Sequence, residues 1–366
     1  MSVSLQKYTG RPFMDNDCIS IIVPVFNCAA YIEKCLSSLC AQSHKNIEII
    51  CVNDKSEDSS LKIINCFRQK DSRVKIIDHA ENMGVSAARN DGMSAARGDF
   101  IMFVDGDDWV DQTICETLYS ASLEYDADSA MCCYMKEFSG RAQQVDIFDG
   151  QKVVLSGGDV REKFLRRLFG PSPDELKDPA AVDALVSPCM QLFKRKALSG
   201  CRFKDIAKTG TFEDGLFQID VYQNVERFVY INKPLYHYRK TNPASITTSY
   251  KPDLFEKWLG LFETMSDIIK TRDYGGDFEI ALKNRIALGV VGLGLNEIAD
   301  KSKSLLKKAD RVKSIISSDI MKTALFELEL GRLALHWKIF FALCRYRLAL
   351  PVTLMLEIIE ILRRRG

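Results

Sequence analysis

The sequence predicts an α/β protein built on a doubly wound, mostly parallel sheet, followed by an all-helical region. Two observations predict it. Short β-branched apolar runs alternate with segments of helical spacing through the first third of the chain, and from about residue 252 the hydrophobic period becomes 3.6 and stays there. Residues 18–25, C-I-S-I-I-V-P-V, read as a strand buried on both faces. A helix follows over 29–42, with Ala29, Ile32, Leu36 and Leu39 on one side. Strands are predicted at 47–52, 73–78 and 99–104, with helices at 57–69 and 85–97 between them. Such βαβ units imply right-handed crossovers and helices on both faces of the sheet. A further strand is predicted at 127–134, and a long polar excursion over 140–183 with one short helix near 160–169. Strands at 186–194 and 226–233 flank a helix at 213–223. Five helices are then expected, at 252–271, 276–299, 303–316, 319–334 and 336–363, with Pro351 kinking or breaking the last.

The bulk numbers exclude some classes. The chain has 366 residues, enough for one large α/β domain and a smaller appendage. Fifty Lys and Arg balance 49 Asp and Glu, for a net charge of +1, which argues against a general nucleic-acid binder. Twelve cysteines are scattered without a C-x-x-C pair, so reduced thiols are expected and a zinc site is not. Residues 1–17 form a polar extension without the apolar core of a signal peptide, and no segment has the ~18 apolar residues of a membrane span. A cytoplasmic protein is expected.

Four clusters carry chemistry, three of them at the C-terminal ends of predicted parallel strands, where open α/β sheets bind ligands. Pro24-Val25-Phe26-Asn27 follows the first strand, and Phe26 can lie against a flat base. Val52-Asn53-Asp54-Lys55-Ser56 follows the second; the Asp54 carboxylate can accept an imide N–H, while Ser56 or Asp58 can cap the next helix. Val104-Asp105-Gly106-Asp107-Asp108-Trp109 follows the fourth. Three acids so close repel one another unless a cation such as Mg²⁺ or Mn²⁺ sits among them. Gly106 lets the backbone approach a ligand closely. The fourth cluster, Phe212-Glu213-Asp214-Gly215, opens a helix; an acid pair among aromatic residues suits a general base, and equally suits an N-terminal cap. Arg89, in a helix of small residues, can reach a phosphate. A loop carrying His237, Arg239, Lys240 and Ser245 can close over a diphosphate.

Together these segments resemble the inverting family 2 glycosyltransferases of the GT-A fold. V-P-V-F-N, V-N-D, E-N-x-G-x-S-x-A-R-N-x-G, F-V-D-G-D-D-W and F-E-D-G-L-F occur in that family's order, strongly over 18–135 and more loosely over 185–250. The resemblance implies a GT-A domain over 18–250, a helical C-terminal domain over 251–366, and a nucleotide-diphospho-sugar donor, most often a UDP-sugar. It implies that Pro24, Phe26, Asn27 and Asp54 line the base, that Arg89 lies near the nucleotide sugar or phosphates, and that Asp105 contacts ribose. Asp107 would bind Mn²⁺ or Mg²⁺, with Asp105 and His237 as further candidate ligands. Asp214, with Glu213 beside it, would be the catalytic base, and Arg239 and Ser245 would belong to the phosphate-contacting lid. Lys55 stands where the family usually has glycine. The acceptor would be a saccharide or lipid-linked saccharide of the bacterial cell surface. The two rival classes are a metal-dependent nucleotidyltransferase, which would need a Gly-rich phosphate loop that V-P-V-F-N-C-A-A does not offer, and a non-catalytic scaffold, which would have no reason to keep both acid clusters.

The tail adds a partner. Residues 338–366 hold Lys338, Arg345, Arg347, Arg363, Arg364 and Arg365 against Glu357 and Glu360, six minus two or +4, beside apolar patches. That pattern suits the anionic inner face of the plasma membrane, and also a packed bundle with a solvated face.

Overall fold

The computed structural model describes residues 17–177, 184–205, 210–242 and 250–365. The alternating segments form strands β1 (Ile19–Val25), β2 (Ile47–Asn53), β3 (Val74–Asp78) and β4 (Phe100–Phe103), linked by helices α1 (Ile32–Cys40), α2 (Ser60–Lys70) and α3 (Val85–Ala95). All four strands run parallel, in the order β3-β2-β1-β4. Every residue of β2 is buried, as a strand covered on both faces requires. The wall continues through β9 (Gln191–Lys194), β6 (Ser129–Phe138), β10 (Arg227–Arg239) and β5 (Trp109–Val110). There β9 lies antiparallel between β4 and β6, and β10 runs parallel to β6. Helix α4 (Ile114–Glu124) joins β5 to β6.

The excursion differs from expectation. It holds two strands, β7 (Arg141–Val145), hairpinned onto β6, and β8 (Lys152–Ser156), antiparallel to β10, before a helical stretch α5 at 158–169 whose middle turn, Arg161–Leu165, is π-wound. The sequence R-A-Q-Q-V of β7 is mostly exposed, so backbone pairing specifies it and burial does not; hydrophobic alternation had nothing to report. Strand β9 begins at Gln191 where 186 was expected, because Pro188–Met190 is a 3₁₀ turn whose start Ser187 caps through Cys189 N–H. Strand β10 runs on to Arg239, six residues past the expected end. It accommodates Pro234, which has no N–H to donate, by register shifts on either side of that residue. His237 and Arg239 therefore sit on a strand, where a lid had been expected.

Helix α6 (Glu213–Val221) precedes β10, and among the described residues six α-helices follow it: α7 (Leu254–Thr271), α8 (Gly276–Ala299), α9 (Leu305–Ile316), α10 (Asp319–Glu327), α11 (Leu335–Arg345) and α12 (Ala349–Arg365). The expected helix 319–334 stops at Glu327 and is followed by a 3₁₀ turn, Leu330–Arg332. The expected 336–363 helix divides at Arg347, whose φ is +59°, four residues before Pro351. Pro351 lies in the first turn of α12, where its missing N–H is no loss. The long α8 is the hub. Asn284 donates to the Pro171 carbonyl at 2.9 Å and Arg285 Nε to the Phe169 carbonyl at 3.0 Å, which ties the bundle to the end of α5. No described helix is long and apolar enough to cross a membrane.

Candidate active site

The ends of β1 and β2 are fastened to each other. Asn27 takes a left-handed φ of +47°; its N–H donates to Ser56 Oγ at 3.1 Å, and its side-chain carbonyl accepts from Glu57 N–H at 2.8 Å. Cys28 N–H donates to Ser60 Oγ at 3.0 Å and Ala29 N–H to Asp58 at 2.9 Å. Phe26 stands on this floor half exposed, at 51%, while Pro24 is partly covered. Lys55, exposed at the place of a usual glycine, holds φ at +58°, so the loop keeps a glycine-like path with lysine in it. Asp54 is buried. Its carboxylate accepts from Met83 N–H, Gly84 N–H and the His79 ring, each at 2.8 Å, and thereby anchors the entry to α3. Three of about four lone-pair positions are thus occupied before any nucleobase arrives.

Helix α3 lies flat on the sheet because Gly92 has no side chain: a Cβ there would come within 2.4 Å of Ile22. One turn earlier, Arg89 is 3% exposed. Its Nη2 donates to Asp105 at 2.9 Å and its Nη1 to Asp214 at 2.6 Å. One guanidinium thus joins an acid from the end of β4 to an acid from the first turn of α6, 109 residues apart in the chain. The next residue, Asn90, completes the link: its side chain both accepts from Phe203 N–H and donates to Phe203 carbonyl at 2.9 Å. The Phe203 ring stacks on Phe217 of α6, centroids 3.7 Å apart, and Arg89 lies 5.1 Å from it.

The three acids after β4 have separate surroundings. Asp108 is buried; it accepts from Tyr236 Oη at 2.7 Å and from Arg239 N–H at 2.8 Å, which pins the acidic turn to β10. Burial, then the charges of Asp105 and Asp107, push its carboxyl far above the usual range. The expectation that all three surround one cation is corrected: Asp108 is a strut, and only Asp105 and Asp107 remain partly open. Asp107 accepts from Asn242 at 2.8 Å, and its carboxyl is raised by burial and by neighbouring Asp105. Gly106 meets its own chain, since a Cβ there would lie 3.0 Å from the Pro24 carbonyl oxygen and 3.1 Å from Cys28 Sγ. Among the described residues no three His, Cys, Asp or Glu side chains converge as a closed metal cage.

Asp214 has a side chain 22% exposed, yet its carboxyl is pushed up to about 7. Burial is the main cause, and the Glu213 and Asp105 charges add to it against the opposing pull of Arg89. Glu213 is buried, and its Oε2 has no hydrogen-bond partner among the described residues.

A cationic box lies beside Asp107. Arg239 Nε donates to the Asp107 carbonyl at 2.7 Å, and its guanidinium lies 4.7 Å from the ring centroids of both Tyr31 and Trp109. Lys34 Nζ sits 3.1 Å over Trp109, and His237 stacks on the same ring at 5.1 Å while its Nδ1 bonds Glu137 at 2.7 Å. Nothing in the sequence marked Lys34 of α1, Tyr31 just before it, Asn242 or Tyr236. Only the fold sets them against the acidic turn. Ser245, expected in the lid, lies outside the described residues.

The family model described as glycosyl transferase family 2 matches residues 20–200. Glycosyltransferase GlyA of Streptococcus pneumoniae is 37% identical over 265 residues, covering 69% of this chain and 34% of GlyA, so the chain spans about a third of that protein's length. Glycosyltransferase GlyG of the same organism is 30% identical over 239 residues, covering 64% of this chain and 75% of GlyG. The crystal structure of S. aureus TarS 1–349 in complex with UDP-GlcNAc is similar in fold at a TM-score of 0.63 and 18% identity, covering 95% of this chain and 92% of that one. The mostly parallel sheet with its antiparallel β9, the sugar-transferase relatives and the shared fold lead to one statement: the chain belongs to glycosyltransferase family 2 and has a GT-A fold with a helical C-terminal region.

Proposed function

We propose that residues 18–250 transfer a sugar from a UDP-sugar to an acceptor hydroxyl with inversion, with Mn²⁺ or Mg²⁺ bound at Asp107. The observation that carries this is the Arg89 bridge, which holds an acid from β4 and an acid from α6 on either side of one guanidinium. The uridine donor class is supported by the fold shared with a TarS fragment that was crystallised with UDP-GlcNAc. Phe26 covers the base above the floor made by Pro24 and Asn27, and Asp54 offers its remaining lone pair to the imide N–H. Two neighbouring carboxylates, with Asp107 raised by burial and then by the charge of Asp105, are a donor set that would suit a hard divalent cation. The cation, when bound, supplies charge neutralisation for the leaving diphosphate. Arg239 and Lys34, set around Trp109, add positive charge on the same side; His237 offers Nε2 there, since Nδ1 is held by Glu137. Asp214 accepts the acceptor's proton, with Glu213 beside it, and Arg89 keeps the ionised form in place. The acceptor is a cell-surface or lipid-linked saccharide, and the helical region brings the protein to the inner membrane surface.

The test is UDP release from a panel of UDP-sugars with Mn²⁺, with Mg²⁺ and with EDTA. At least one donor should turn over, and EDTA should stop it. Asp107→Ala should abolish both turnover and metal dependence. Asp214→Asn should lose about 10²–10⁴-fold in kcat while still being thermally stabilised by UDP. An Asp214→Asn protein at full rate would overturn the base assignment, and metal-independent turnover in the unaltered protein would overturn the cation.

A further inference from the structure

Helix α12 buries one side and leaves another bare. Val352 and Leu356 are fully buried, with Leu356 packed where a side chain on Gly294 of α8 would stand. Leu350, Leu354, Ile358, Ile361 and Leu362 are all exposed, Leu362 at 62%. Their spacing of i, i+4, i+8, i+11 and i+12 sets them on one side of the helix. The turn before the helix continues the stripe with exposed Tyr346 and Leu348, and places Arg347 between them. Scattered apolar residues on a surface are ordinary, whereas a stripe along an entire 17-residue helix marks a contact.

The exposed charges of the helix and of the turn before it are basic, and its acids are paired. Glu357 is bonded to Lys308 of α9 at 3.0 Å, and Glu360 is paired with Arg363 at 3.5 Å, so both acids of the helix are engaged. Arg347 and Lys338 are exposed. Arg363 and Lys136 lie close enough to Lys240 that, after burial, their charges help hold its ammonium below the ordinary value. A second copy laid across the stripe would set these basic rims against each other, whereas an anionic bilayer offers phosphates to the rims and acyl chains to the stripe.

We infer that the stripe on α12 and the turn before it form a docking face for an anionic lipid bilayer, lying in the plane of the interface. This rests on the proposed transfer reaction only in suggesting a lipid-anchored acceptor; the docking face stands or falls by itself. In co-sedimentation, the full chain should pellet with vesicles of phosphatidylcholine containing roughly a third phosphatidylglycerol and remain in solution with phosphatidylcholine alone, with binding weakened by salt. Leu354→Glu/Ile358→Glu should lower vesicle binding at least about tenfold, with unchanged circular dichroism and unchanged UDP release from the donor in solution. Leu354→Ala/Ile358→Ala, which adds no charge, should lower it in the same direction. Equal binding by the Glu variant, no binding by the unaltered chain, or a dimer in sedimentation velocity that Ile358→Glu dissociates would each overturn the inference. Vesicle binding without turnover of any nucleotide sugar would leave the docking face standing and sink the transfer reading.

Discussion

Enclosed between Asp105 and Asp214, the Arg89 guanidinium is almost wholly buried, while each carboxylate keeps a solvent-facing part, 33% and 22% of its side chain. A charge so placed depends on its partners: Arg89→Met should leave two uncompensated acids and cost about 3 kcal/mol of stability, read from urea midpoints. Activity should fall too, and Arg89→Lys should restore part of the stability without restoring the rate, because an ammonium cannot span both acids. The raised pKa of Asp214 gives a pH dependence with two opposite signs. As a base it must be ionised, so kcat/KM should fall as pH drops through about 7. Its folded-state pKa lies above the unfolded value of ~3.9, so its contribution to stability is full below about 4 and is lost as pH rises through about 7. Lys55 is a smaller matter of the same scale. A lysine at φ +58° is strained by about 1 kcal/mol, so Lys55→Gly should leave the loop path intact and raise stability slightly.

At the scale of elements, the loops after β1 and β2 are one unit, and helix α3 is seated by a missing side chain. Asp58 accepts from Ala29 N–H and Ser60 N–H, so Asp58→Ala should cost about 1 kcal/mol and raise the donor KM more than it lowers kcat, since it loosens the floor under Phe26. Gly92→Ala should cost about 1–3 kcal/mol, because Ile22 must shift and α3 must lift, carrying Arg89 with it. Element by element, legibility followed burial. Strands β1, β2 and β4, whose described residues are nearly all buried, were plain in the sequence, as was α8, whose bounds match expectation. Strand β7 was missed because its hydrogen bonds to β6 form without a hydrophobic face to mark it, and β8, which buries Leu155 and half-buries Val153, because so short an apolar run sits inside a polar stretch. The extension of β10 was missed because Pro234 reads as a strand end, and only register shifts carry the strand past it.

Across the whole molecule, the helical bundle and the sheet domain meet at the end of α5. Gly170 has φ +152°, and a Cβ there would lie 2.0 Å from the Ala281 carbonyl oxygen of α8. Gly170→Ala should therefore force the bundle away from the sheet and cost about 2 kcal/mol or more, seen as a lowered urea midpoint. If the midpoint is unchanged, that contact does not hold the two regions together. The sequence by itself determined the parallel alternation, the position of the Asp54 and Asp105–Asp108 motifs at strand ends and of Glu213-Asp214 at a helix start, and the switch to helical period near 252, because burial on both faces and 3.6-residue spacing are local properties of the chain. Tertiary structure alone decided that Arg89 joins Asp105 to Asp214, that Asp108 is a strut, and that Lys34 of α1 and Tyr31 just before it meet Arg239 of β10. Those contacts join residues 16 to 208 positions apart, and no local pattern of residues specifies which distant side chain will fill a given space.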